Sequence, residues 1–180
     1  MTQAQTLPPA SAGWRGAVLG LLAAAGLALA AAADPLPEPE GAVVLVVGGA
    51  IGRGNGDGTA RFDLDMLKSL PRTEFATSTV WTEGVSTYSG VLLRDLLDAV
   101  AADGSRLVAH AIDGYQTVIP LDELHPDGPI VAFLRDGAPM SVRARGPLWV
   151  IYPFDDNPAY RNDTTYGRSI WQLTQIDIER

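Results

Sequence analysis

The chain contains no cysteine. That absence excludes disulfides, thiolate metal sites, iron–sulfur clusters and cysteine nucleophiles. It also removes cysteine usage as a guide to the redox compartment. Histidine is nearly absent as well: His110 and His125 are the only imidazoles. Zinc catalysis needs three ligands with local spacing such as H-E-x-x-H. His110 falls within an apolar strand and His125 precedes a proline, so no metal site is assigned. Lysine occurs once, at Lys68, and the formal net charge is −8. An acidic surface with scattered arginines repels a phosphate backbone, which excludes nucleic acid as a partner. Ser86, Ser89 and Ser141 lack a G-x-S-x-G elbow, and no catalytic residue is assigned.

Hydrophobic residues make up 47% of the chain and charged residues 19%, a balance that suits a globular domain. Arg15 precedes Ala17–Ala33, AVLGLLAAAGLALAAAA, and Asp34-Pro35 opens the stretch DPLPEPE. A positive flank, an apolar core, small residues and a polar breaker form the pattern of a signal peptide. The expected organisation is a signal peptide over residues 1–33, a Pro-rich linker over 34–41 and one domain over 42–180. The expected location is the bacterial periplasm or the medium. The alternative is a retained anchor and membrane attachment, but alanine partitions weakly into lipid.

Within the domain, Ala42–Val47 is β-branched and reads as a buried strand. Gly48–Gly58 carries Asn-Gly and Asp-Gly pairs and reads as a hairpin connection to a short strand at Thr59–Phe62. Neither a dinucleotide fingerprint nor a Walker loop fits it. Asp63 caps a short helix that Pro71 ends. Thr73–Thr82 reads as a strand, and an amphipathic helix opens after Gly90. Two hairpins follow: Arg106–Ile119 turning at Asp113-Gly114, and Ile130–Val142 turning at Asp136-Gly137. Leu148–Tyr152 is a buried strand, Asp155–Tyr166 a polar loop, and Ile170–Ile178 the last strand. Many strands and few short helices predict an α+β domain with mixed, mostly antiparallel sheets.

Several segments, taken in order, resemble the molybdopterin-binding domain of the sulfite oxidase family, in particular its small exported single-domain members. They are Thr79–Thr82, Gly84–Leu93, Leu96-Leu97, Asp113–Tyr115, Asp136–Met140, Arg145–Leu148 and Ile170–Ile176. The resemblance implies a sulfite-oxidase-like fold and a pterin cofactor holding molybdenum for oxygen-atom transfer. It also implies a cysteine ligand between the early strand and the helix that opens G-V-x-L. The matching stretch here is Ser78–Gly84, with Val80 or Trp81 nearest the ligand position and no thiol. The family's late cation–Trp pair is Ile170-Trp171 in this chain.

Candidate binding residues are Trp81, Thr82, Tyr115, Arg143, Arg145 and Gly146. Arg143 and Arg145, two apart on a strand, would share one face and grip an anion, with Gly146 admitting a ligand to the backbone. Trp81 and Tyr115 stand beside Thr-, Gly- and Asp-containing segments and would line a pocket, whereas Trp149 and Trp171 would be core. The expected function is a non-catalytic binding or accessory module for a pterin or another small anion, molybdopterin being the cofactor implied by resemblance. Two alternatives stand beside it: a molybdopterin oxidoreductase with a cysteine-free metal site, and an interaction module for an envelope protein.

Overall fold

In the first strand, β1 (Val43–Gly49), Leu45 and Val47 are fully buried, as the β-branched run predicts. This computed structural model describes residues 35–180, and the proposed signal peptide lies outside the described residues. The Gly-rich loop after β1 leads to an antiparallel partner, β2 (Ala60–Asp63). Buried Asn55 organises that loop. Its amide donates to the carbonyls of Pro37 (2.7 Å) and Arg61 (2.8 Å), and its Oδ1 accepts from Arg61 N (2.8 Å). Leu36 N donates to Gly54 O at 3.1 Å, so the Pro-rich stretch is tied to the domain.

Asp63 ends β2 and caps α1 (Leu64–Ser69), accepting from Met66 N at 2.8 Å. A hairpin of β3 (Arg72–Thr79) and β4 (Thr82–Leu92) follows, then α2 (Leu93–Ala99). A second hairpin joins β5 (Arg106–Ala111) to β6 (Gln116–Pro120). Then come a 3₁₀ turn at Leu121–Glu123, β7 (Ile130–Arg135), β8 (Ala138–Pro139), a 3₁₀ turn at Val142–Ala144 and β9 (Trp149–Ile151). The chain ends with a 3₁₀ turn at Pro158–Tyr160, α3 (Asp163–Arg168) and β10 (Leu173–Glu179).

One sheet runs β2-β1-β10-β5-β6. The other runs β3-β4-β7, with β8 and β9 both paired to β7. β1 and β10 are parallel and the other pairs antiparallel, so the α+β expectation holds. Residues of both sheets and the inner face of α2, Leu93, Leu96 and Leu97, form one continuous core.

Four local expectations are corrected. Gly90 does not open a helix. It lies within β4, where a Cβ would come 2.1 Å from Val131 O of β7, and the helix starts only at Leu93. Met140–Val142 is not a strand: pairing ends at Pro139, and Arg145 takes a left-handed conformation (φ 70°). Arg143 and Arg145 therefore do not share a strand face. The loop Asp155–Tyr166 contains the start of α3, capped by Asn162 Oδ1 accepting from Thr165 N at 2.9 Å. The last strand begins at Leu173 rather than Ile170, after Gln172 at φ 53°.

Candidate functional site

The turn between β3 and β4 decides where Trp81 goes. Thr79 Oγ1 accepts from the backbone N–H groups of Trp81 (3.1 Å) and Thr82 (3.0 Å). It also lies 2.8 Å from Thr82 Oγ1. Val80 is left 61% exposed, while the Trp81 ring packs inward. Its centroid is 5.9 Å from Trp149, 5.8 Å from Tyr166, 5.7 Å from Trp171 and 6.3 Å from Phe154.

Trp149 is fully buried on β9 and donates from Nε1 to Ser169 O at 3.1 Å. A lone antiparallel bridge joins it to Trp171, flanked by Val150 N to Ile170 O (2.8 Å) and Leu173 N to Leu148 O (3.1 Å). The segment before β10 is thus fastened to the second sheet. The Arg145 guanidinium lies against both indoles, 5.5 Å from the Trp149 centroid and 5.6 Å from that of Trp171. Among the described residues it takes no carboxylate partner; the contact is cation–π.

Beside this cluster is a cavity of about 350 Å³, lined by Trp81, Ala111, Asp113, Tyr115, Tyr166, Gly167, Ser169, Ile170 and Trp171. Its walls come from the β3–β4 turn, the β5–β6 turn and the approach from α3 to β10. Asp113 Oδ1 accepts from Tyr115 N at 3.0 Å and shapes the β5–β6 turn. The Tyr115 hydroxyl donates to Gly167 O at 2.9 Å and clips that turn to α3. Near α3, Arg168 donates to Glu123 at 2.5 Å, which holds the Glu123 carboxyl below its ordinary range. Asp155 accepts from the hydroxyl and N–H of Ser78, both at 2.7 Å, and pairs with Arg161. Those bonds, the Ser78 hydroxyl first, lower its pKa and lock β3 to the loop after β9.

Trp81 and Tyr115, both expected from sequence, line the cavity, and Arg145 borders its Trp171 wall. Thr82 serves the turn. Gly146 backs onto its own chain: a Cβ there would stand 1.9 Å from Met140 O. Arg143 is exposed on the 3₁₀ turn, away from any shared anion clamp with Arg145. Trp171, read as core, is half-buried and forms a wall. Asp113 and Tyr166 were not expected as lining. The Asp-Gly signal marks only a turn, and Tyr166 lies in a polar stretch without periodicity. Four of the segments that carry the family resemblance meet here: Thr79–Thr82, Asp113–Tyr115, Arg145–Leu148 and Ile170–Ile176.

The residues do not fit the molybdenum centre that the resemblance implies. A metal anchored through a protein thiolate needs a cysteine, and the chain has none. Among the described residues no group of three or more His, Asp or Glu side chains could hold a metal instead. The stretch matching the ligand position is the β3–β4 turn, where Trp81 fills space with an indole.

Neither a protein-family model nor a curated protein sequence matches the chain. Among solved structures, it is similar to the sulfane dehydrogenase SoxCD from Paracoccus pantotrophus, with a TM-score of 0.55 and 17% sequence identity. The match covers 75% of this chain and 37% of that one, so the chain spans little more than a third of the neighbour's length. At that identity the likeness establishes the fold alone, an α+β architecture of the sulfite-oxidase-like kind.

Proposed function

We propose that this chain is an exported, non-catalytic binding module that holds a small organic ligand in its aromatic cavity. The carrying observation is the cavity itself: four aromatic walls and one carboxylate, without the donor set a metal would need. Apolar, concave sites with a few placed polar groups are where proteins bind small molecules. Export is supported by the Arg15-led apolar segment. A pterin is the ligand class that the family resemblance contributes.

The test is metal analysis, pterin fluorescence and mass spectrometry of small molecules released from protein purified from the periplasm of a host that makes molybdenum cofactor. Molybdenum well below one atom per chain is expected, together with an organic ligand whose retention falls about ten-fold in Tyr115→Ala. One redox-active molybdenum per chain would overturn the non-catalytic reading.

A second reading, docking of an envelope protein, draws on exposed apolar side chains next to the cavity. Val80 adjoins Trp81, Ile112 adjoins Asp113, and Val142 accepts from Gln172 beside Trp171. Cross-linking in the periplasm from a probe at Val80 tests it. A single discrete adduct supports docking, and monomer alone argues against it.

A further inference from the structure

Resting on the cavity reading above, we infer that the ligand is an organic cation of the methylated-ammonium class. A flat heterocycle is best held between parallel rings. Here the rings stand across one another: Trp81 is inclined 74° to Trp171 and 85° to Tyr166, with centroids 5.7 and 5.8 Å apart. Trp81 forms no parallel pair with either ring and so offers no sandwich for a flat heterocycle, whereas a rounded group can meet ring faces set at steep angles. Aromatic faces attract cations through the ring quadrupole, most strongly for tryptophan. The protein already uses that attraction nearby, where Arg145 lies against Trp149 and Trp171.

The charge of the lining agrees with the shape. Asp113 is the only acidic or basic side chain in the lining, and its bond from Tyr115 N engages one of its two carboxylate oxygens. The Tyr115 hydroxyl proton is committed to Gly167 O, so its ring is what remains for a ligand. A net charge of −8 adds a field that favours cations. Arg145 lies outside the lining and opposes a bound cation at longer range, which supplies a test of sign.

The experiment titrates the purified full chain, followed by tryptophan fluorescence, with three probes: choline, its uncharged isostere with carbon in place of the quaternary nitrogen, and pterin-6-carboxylate. Choline is expected to bind about ten-fold more tightly than the isostere. Asp113→Asn should weaken choline several-fold and leave the isostere unchanged, and Arg145→Gln should tighten choline. Equal binding of choline and the isostere overturns the cation, while the cavity reading stands. Binding of pterin-6-carboxylate alone, weakened by Arg145→Gln, does the same in favour of an anion. If none of the three binds, the cavity reading falls together with the inference.

Discussion

At Gly146 the space for one methyl group separates two interpretations. As sequence, Arg-x-Arg-Gly suggests a strand with a glycine that lets a ligand approach. In the fold, the tight approach comes from Met140 O, and Gly146 N donates to Ser141 O at 2.8 Å. Met140 and Gly146 are buried, so little room exists for either backbone to retreat. Gly146→Ala should therefore cost about 1–3 kcal/mol, the usual range for forcing extra volume into a packed site. A urea titration of the two proteins reads it directly. An unchanged midpoint would mean that the loop carrying Arg145 can shift freely, and the position of Arg145 on the indoles would lose its structural basis.

Among the elements, the β3–β4 hairpin links fold to site most directly. Its first arm was legible from Thr, Val and aromatic content. The second was not, because its outer half reads Glu-Gly-Val-Ser-Thr, and its ladder is set by β3 and β7 rather than by its own alternation. The same limit explains Gly90, whose place in β4 is dictated by a neighbouring backbone. It also explains Arg145, which a positive φ turns away from Arg143. Trp81 and Tyr115 were legible as cavity lining from their Thr-, Gly- and Asp-containing neighbours, although the turn that carries Trp81 was read as the end of a strand. Thr79→Val tests the hairpin's role with little change of side-chain shape. It removes the acceptor for two backbone N–H groups and the contact with Thr82. The expected loss is about 1–2 kcal/mol for a partly exposed turn that water can partly resatisfy. The near-ultraviolet circular dichroism of the coupled tryptophans should weaken in parallel, and ligand binding with it. Loss of stability with an unchanged aromatic signal would show that packing, not the threonine, sets Trp81.

Over the whole of the described chain, four of the carboxylates that fasten segments distant in sequence have their pKa lowered by those bonds. Asp63 joins α1 to Gly41, and Glu74 joins β3 to Ser89 of β4 and to Arg72. Glu123 joins the turn after β6 to Arg168 of α3, and Asp155 joins the loop after β9 to Ser78. Each is bonded in its charged form, so each folded pKa lies below its ordinary value of 3.8 for Asp or 4.5 for Glu. The unfolded chain then takes up protons first as pH falls. The stabilisation is complete above those ordinary values and is lost as pH drops through the lower folded ones. A second effect has the opposite sign: protonating exposed acids relieves the self-repulsion of a chain at −8. That repulsion acts over longer distances, and at physiological salt the Debye length of about 8 Å screens it more than it screens bonded contacts. The bonded carboxylates should therefore dominate. In such salt the thermal midpoint is expected to be level from pH 7 to about 5 and to fall steeply below about 4.5. Asp155→Asn should lower the midpoint at pH 7, where Ser78 and Arg161 lose a charged acceptor, and should shrink the drop in acid. A midpoint that rises between pH 5 and 3 would mean that diffuse repulsion outweighs the four tethers.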